Sequence, residues 1–532
     1  MNKKILLGAA ISFASFQVAA VPFAPTDARA MAMGGTGVAS ARTVHAIQFN
    51  PSLLANAHES DDFGLLLPQL GGYVADEDEF IDSADTFADA DYVTGFDNAI
   101  TTIETPINNI DSLILAVDNA SAADDLTALN TATSQLATQT GILTTGTGQL
   151  DTATLDLTDG LRTLSQKALR GGFGFGSGLA IPSKKFSVAM SVSNSTTFSG
   201  LLDIKETDLA TLEAYSDATD QYAQRTNTYA LAADRVSDAL QAIEDAGGIG
   251  SASGAQIQEL DDSQTALGIA STNLDDFAYS FDKTLDDGST QTVVIFQNGT
   301  VADGADQLTL DSEADIIAVA ITEVNLSIAR EFTFGQQAVA IGLTPKLQRI
   351  DAFNYTQNVE DEIDEDAISD SQVTETGFNL DLGASTSFGA EGQFKVGVVI
   401  KNLIGKEIVA ENINNPTKDH TVKINPQVRA GAYYNLADWV HLAADLDVTE
   451  NDPIAFEDPS QFAALGAELD VFGFAQLRVG YRTNLAASGQ DVVSGGFGVS
   501  PFGLFHIDLG VYANTSDPEK EVGGVFEMGV DW

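Results

Sequence analysis

The chain has 532 residues, no Cys, 47 Gly, and 76 acidic residues against 25 Lys and Arg, giving a formal net charge of −51. The missing Cys rules out disulfides, thiolate nucleophiles and Cys-ligated metal, and such acidity argues against a general nucleic-acid binder, because phosphate is met by basic patches. A composition that is 44% hydrophobic is too apolar for a wholly disordered chain, yet beyond the N-terminus there is no run of 18 apolar residues, so no transmembrane helix is predicted.

Lys3 and Lys4 precede an apolar stretch from Ile5 to Val18, and Val18-Ala19-Ala20 offers small residues for cleavage. Residues 1–20 read as a secretory signal peptide, since the apolar run stops short of the ~20 residues of a membrane anchor. Residues 21–61 are rich in small side chains, with Gly34, Gly35 and Gly37 in one cluster and Asn50-Pro51-Ser52-Leu53-Leu54-Ala55 after it. Glycine permits positive φ and close backbone packing, and Asn-Pro marks a turn that can start a helix. Such a segment ahead of a first strand at 62–73 predicts a plug folded back into a barrel.

Residues 74–169 and 205–315 read as helical insertions. Ile100, Ile103, Ile107, Ile110, Ile114 and Val117 step by three and four; Leu129, Leu136, Leu143, Leu150, Leu157 and Leu164 recur every seventh residue. Tyr215, Tyr222, Tyr229, Val236, Leu240 and Ile243, then Ile257, Leu260, Leu267, Leu274 and Phe281, continue the scheme. Sustained spacing of this kind predicts coiled-coil-like helices packed along a seam, two per insertion. Separate, frayed helical hairpins are the alternative, because Pro106, Gly141, Gly146 and Gly148 are poor helix residues. A break is expected at Gly247-Gly248-Ile249-Gly250, and residues 291–300 read as an extra strand.

Residues 170–204 and 316–532 alternate with period two. Leu477, Val479 and Tyr481 alternate with Arg478, Gly480 and Arg482; Phe526, Met528, Val530 and Trp532 alternate with Val525, Glu527, Gly529 and Asp531. Runs of about ten such residues suit tilted strands that cross a bilayer. Fourteen strands are predicted, at 62–73, 170–181, 185–204, 316–332, 336–356, 374–388, 392–404, 421–434, 438–449, 461–472, 474–484, 491–500, 503–513 and 521–532. Short and long connections alternate between them, as between periplasmic turns and outer loops. A soluble β-sandwich also alternates, but here one face is charged and the other apolar or aromatic, and only a closed barrel satisfies every backbone group in lipid without helices. The fold class is therefore an all-β transmembrane barrel with an N-terminal plug and two helical extracellular insertions. The aromatic-ended last strand, with Phe526, Met528, Val530 and Trp532 on one face, is the candidate assembly strand for the barrel-assembly machinery.

The run Ala28-Arg29-Ala30-Met31-Ala32-Met33-Gly34-Gly35-Thr36-Gly37-Val38-Ala39 with the later Asn50-Pro51-Ser52-Leu53-Leu54-Ala55 resembles the TraF-like conjugal-transfer barrel family, and more distantly the FadL-type outer-membrane transporters. Ser52 stands where Ala is usual. The TraF resemblance implies a surface or transfer-related role through the outer loops. The FadL resemblance implies passive uptake of hydrophobic molecules past a plug hinged or packed through Gly34, Gly35 and Gly37 and anchored by Asn50 and Pro51. It also implies a lateral opening in the third strand, where Ser193, Asn194 and Ser195 form a polar stretch. A structural or adhesive surface protein is a third alternative.

No catalytic motif emerges, so no enzyme activity and no cofactor are expected. The acidic run 360–370 lacks the glycine and terminal Glu of an EF-hand and reads as a solvated loop, and five scattered His residues predict no metal site. Arg429, Asp445, Asp447, Glu468, Asp470, Arg478 and Arg482 read as charges of a wet lumen wall that pair across strands at ~0–1 kcal/mol each. The expected partners are outer-membrane lipid and lipopolysaccharide, the assembly machinery, and a hydrophobic small molecule or another cell-surface protein, with no direct contact to nucleic acid.

Overall fold

A computed structural model describes residues 27–56, 63–285, 288–303, 310–361, 365–389, 392–471, 473–500 and 504–531. The expected signal peptide, the first residues of the plug segment and Trp532 lie outside the described residues.

Fourteen antiparallel strands close into a barrel. They are β1 Gly64–Ala75, β2 Ala168–Ile181, β3 Ser187–Asp203, β4 Glu313–Phe334, β5 Gln337–Asn358, β6 Val373–Phe388, β7 Phe394–Lys401, β8 Gln427–Ala437, β9 Val440–Asp447, β10 Phe462–Val471, β11 Ala475–Asn484, β12 Val492–Val499, β13 Phe505–Asn514 and β14 Glu521–Asp531. Neighbours in sequence are neighbours in the sheet, and β14 returns to β1 from Gly64↔Asp531 to Ala75↔Glu521, so no edge is left to satisfy. Burial is inverted relative to a water-soluble protein. Leu465 and Val479 are 61% and 62% exposed, whereas Arg478, Asp508 and Glu527 are at most 2% exposed. This is the expected arrangement of a wall with lipid outside and a polar lumen inside.

Two strand expectations need correction. The run 421–434 is not one strand. His420–Ile424 pairs with Lys406–Ala410 in a separate hairpin, and β8 starts only at Gln427. Pro426 separates the two, because proline has no N–H to give a ladder. The polar stretch of β3 is not a break towards β2 either. Pairing there is continuous from Ala168↔Leu201 to Ile181↔Val188 and includes Gly176↔Ser193, Phe175↔Asn194 and Gly174↔Ser195. The irregular seam lies one strand earlier. The β1–β2 ladder runs from Gly64↔Ala180, shifts register around Pro68, and ends at Gln69↔Gly176.

A second compact unit comprises residues 83–165 and 203–313. Its helices Tyr92–Ala122, Leu126–Leu164, Glu206–Asp245 and Gly254–Asp275 pack each on the next. Leu129, Leu136, Leu143, Leu150, Leu157 and Leu164 are all buried, with Thr133, Thr140, Thr147 and Thr154 buried four residues after the first four. Pro106 and the glycines do not break the helices. A Cβ on Gly146 would stand 2.7 Å from Ile103 Cγ2, so this glycine sets how closely the first two helices approach. Ile100 and Ile257 are exposed rather than buried, and Phe96, Ala99, Ile103, Ile110 and Val117 carry the first helix's contact face. Phe281 lies beyond the helix, in a three-stranded sheet of Tyr279–Thr284, Thr290–Gln297 and Thr300–Val301. Gly247 and Gly248, at φ +91° and +93°, close the helix Glu206–Asp245. Tyr222 stacks on Phe296 at 4.9 Å, and the Tyr222 and Tyr229 hydroxyls reach Asp111 and Asp118 at 3.4 and 2.6 Å. No helix of the described residues is long and apolar enough to cross a membrane.

Candidate functional site

The N-terminal segment 27–56 is bonded into the barrel lumen. Asp27 caps the short helix Ala28–Ala32 by accepting the Ala30 N–H at 3.0 Å. The helix ends in a turn through Gly34 and Gly35, at φ +75° and +88°, where the Gly35 N–H donates to Ala30 O at 2.7 Å. Short helical turns at Thr43–His45, Ala46–Phe49 and Pro51–Asn56 complete the segment.

The wall meets this backbone with glycine. A Cβ on Gly466 of β10 would stand 2.5 Å from Met33, and one on Gly397 of β7 2.6 Å from Val38 O. Gly480 of β11 and Gly510 of β13 would overlap Gly34 and Ala28 in the same way, and Gly342 of β5 would overlap Pro51. Side chains on these strands would leave no room for the plug main chain.

Polar wall groups complete the fit. Arg29, 4% exposed, donates twice to Glu468 at 2.8 and 2.9 Å and once to Ser40 O at 2.6 Å. Glu468 also accepts from Arg478 at 2.6 Å, and Arg478 and Arg42 share Asp508 at 2.5 and 2.9 Å. Asp445 accepts the Gly37 and Val38 N–H groups at 2.8 and 3.0 Å, and Ser494 Oγ accepts that of Gly34 at 2.9 Å. Asn50 donates to Val38 O at 2.9 Å and accepts from the Ser52 N–H and hydroxyl, while Ser52 meets Ser385 of β6 at 2.8 Å. Glu527 of β14 accepts from Gln69 and from the Ala28 N–H, and faces His45 and His506 at 2.7 and 3.2 Å.

The wet-lumen expectation is therefore corrected. Arg429–Asp447 and Glu468–Arg478 do pair across strands, but these groups are buried, and Asp445 and Glu468 bind the plug. Arg42, His45 and Glu527 were not singled out from sequence; Arg42 and His45 lie in the plug segment, outside any alternating strand, and Glu527 showed only polarity at an inward-facing position of the last strand.

A small cavity of about 60 Å³ remains beside Met31, Gly34 and Gly35, and its lining includes Glu77, Arg170, Arg429, Asp445, Arg482 and Glu521. Of the sequence-predicted residues, Gly34, Gly35 and Gly37 lie in the turn region of the plug facing β9 to β12, and Asn50 and Pro51 lie against β5 and β6. Ser193, Asn194 and Ser195 lie apart from both, in the wall, where Asn194 donates to Thr322 of β4 at 3.0 Å. Phe526, Met528 and Val530 share the outward face of β14.

Residues 47–447 match the model of a family described as "F plasmid transfer operon, TraF, protein". The chain belongs to this family. Among solved structures, the chain of this TraF-family barrel is similar to the Ralstonia pickettii toluene transporter TbuX, with 9% identity, 96% and 99% of the two chains covered and a TM-score of 0.43. It is also similar to the Pseudomonas putida toluene transporter TodX, at 8% identity, 95% and 96% coverage and a TM-score of 0.38. The CymD monoaromatic hydrocarbon channel stands at 8% identity, 96% and 98% coverage and a TM-score of 0.39. A search of curated proteins finds no match. The protein is a closed, fourteen-stranded antiparallel β-barrel.

Proposed function

We propose that this TraF-family barrel is a closed membrane anchor, and that its helical unit carries a surface or transfer-related role. The observation that supports this most directly is the filled lumen. The plug meets polar groups on β6, β9, β10 and β14, and the cavity of about 60 Å³ beside Met31, Gly34 and Gly35 carries charged side chains in its lining. An engineered cavity that holds benzene is ~150 Å³ and apolar, so this cavity suits a few waters and not a hydrocarbon. The reading requires no catalytic chemistry. Export through residues 1–20, recognition of the last strand by the assembly machinery, and contact of the helical unit with another cell-surface protein belong to the same proposal.

A second reading, passive passage of hydrophobic small molecules, is favoured by one feature. The β1–β2 ladder stops at Gln69↔Gly176, while Leu70–Ala75 pairs on with β14 and Ala168–Phe175 with β3. Uptake of radiolabelled toluene by cells with and without the protein separates the two. Equal uptake supports the anchor; protein-dependent uptake overturns it. Deleting 97–165 together with 206–284 is expected to leave barrel assembly intact and abolish the surface role.

A further inference from the structure

Residues 131–158 repeat the unit Thr-x-Thr-x-x-Leu-x without interruption. In the helix Leu126–Leu164 its third and sixth positions, Thr133 to Thr154 and Leu136 to Leu157, are buried in the helical unit. The first position, Thr131, Thr138, Thr145 and Thr152, is exposed, yet it repeats as strictly as the buried ones; the fifth, also exposed, runs Gln135, Ile142, Gln149, Asp156. Seven residues make two turns, so these threonines form one row along the outer side of the helix. Ser134, Gly141, Gly148 and Leu155 form a second exposed row beside it. Alternate steps of three and four sustained over more than three heptads are the spacing of a coiled-coil seam, and no described residue covers this one.

Solvation does not account for these rows. Exposed helix positions are best filled by Ala, Glu, Lys or Gln; Thr is a weaker helix former, and each mid-helix Gly costs ~1 kcal/mol. A Cβ on Gly141 or Gly148 would meet nothing within 4 Å, unlike Gly146 and Gly160 on the packed side, so no contact inside the chain asks for glycine there. The four threonines donate their hydroxyls to the carbonyl oxygens of Thr127, Ser134, Gly141 and Gly148 at 2.9 to 3.0 Å, so the row can be covered without stranding a donor. Leu155 is 48% exposed, and Ile142, beside the rows, 42%. Charge selects the occupant. Residues 126–150 contain no charged side chain, in a chain with 76 acidic residues against 25 Lys and Arg. On the next helix Asp217, Asp234 and Asp238 are exposed; a basic partner would be drawn to such faces and finds nothing to pair with here. A second copy of so acidic a chain is repelled from those faces and can approach closely only along an uncharged one. We infer that the outer face of the helix Leu126–Leu164, centred on Gly141, packs against the same face of a second copy of this chain. The contact is self-complementary, and its glycines let the two helix backbones come close. It names the partner for the surface role proposed above, and rests on that reading only in taking the helical unit as the contacting part.

The test uses the full chain purified in detergent. The chain has no Cys, so single cysteines report the contact directly. Gly141 is the midpoint of the seam 127–155, and a cysteine there meets its copy whether the two helices run parallel or antiparallel. Under mild oxidation G141C should form a disulfide-linked dimer about tenfold faster than L231C, whose position is 60% exposed on the next helix. Light scattering should give a dimer for the wild type, and T138D/T145D, which sets like charges against one another across the seam, should weaken that dimer by about tenfold or more with the helical circular dichroism unchanged. If the double variant fails to fold, the comparison of G141C with L231C still decides. Equal cross-linking of G141C and L231C, or a wild type that stays monomeric, would overturn the inference. A dimer indifferent to T138D/T145D would place the contact on another face and overturn it as well. None of these measurements involves toluene uptake, so their failure leaves the closed-anchor reading standing.

Discussion

Gly480→Ala tests whether a glycine wall is what seats the plug. The new Cβ would overlap the Gly34 nitrogen and the Met33 carbonyl carbon and lie 2.5 Å from Ser494 Oγ. Overpacking costs ~1–3 kcal/mol where side chains can yield. Here two of the three neighbours are main chain, held by the Gly34 N–H to Ser494 and by the Gly37 and Val38 N–H groups to Asp445. Lifting the turn loses those bonds at ~1 kcal/mol each and leaves Asp445 with fewer partners in a buried position, a total of about 3 kcal/mol. That corresponds to roughly a hundredfold larger population with the turn displaced. Arg29 and Arg42 are trypsin sites inside the plug, so cleavage at both should accelerate by about that factor where opening limits it. Single-channel recordings should show conductance in the variant above that of the wild type. Gly495→Ala is the control, because its nearest neighbour would be Arg478 O at 3.7 Å, an ordinary contact. Equal cleavage and equal conductance in wild type and Gly480→Ala would refute the reasoning.

Glu468→Gln should destabilise the plug by about 3–5 kcal/mol, since the buried Arg29 and Arg478 guanidiniums share that one carboxylate; the same trypsin assay reads it, with the thermal midpoint as a second measure. Thr140→Val and Thr154→Val should each stabilise the helical unit by about 1 kcal/mol, because both hydroxyls are buried without a partner among the described residues; a fall in the helical melting temperature would contradict this. Lys283→Met should cost the helical unit about 3–5 kcal/mol, because Lys283 holds Asp208 and Asp311 at 2.7 and 3.0 Å in a buried cluster. Burial lowers the Lys283 pKa, but hydrogen bonds and charge from Asp208 and Asp311 outweigh it and the value is raised. The staple is therefore complete below the ordinary lysine pKa of ~10.4 and is lost as pH rises through the higher folded value. Thermal melts of wild type should show that alkaline loss, and melts of Lys283→Met should not.

What could be read in the sequence was whatever a short window determines. Each wall strand has lipid on one side, so Leu477, Val479 and Tyr481 had to alternate with Arg478, Gly480 and Arg482, and that period showed fourteen strands without reference to any partner. The leucine heptad from Leu129 to Leu164 marked a buried seam in the same local way. Errors arose where periodicity ran past a boundary. Val422 and Ile424 continue the alternation of β8, and only Pro426 ends it; Ile100 and Ile257 fit the helical spacing yet face outward.

The sequence by itself determined the barrel, its strand order and the helical character of its insertions, because lipid and helix seams impose repeats that each stretch obeys alone. Only the tertiary structure decided that the lumen is filled. Arg29 meets Glu468 across 439 residues of chain, and Ala28 meets Glu527 across 499. No periodicity links such partners; they are brought together only when β14 closes against β1 around the plug, and a charge that read as solvated then becomes a buried member of the contact.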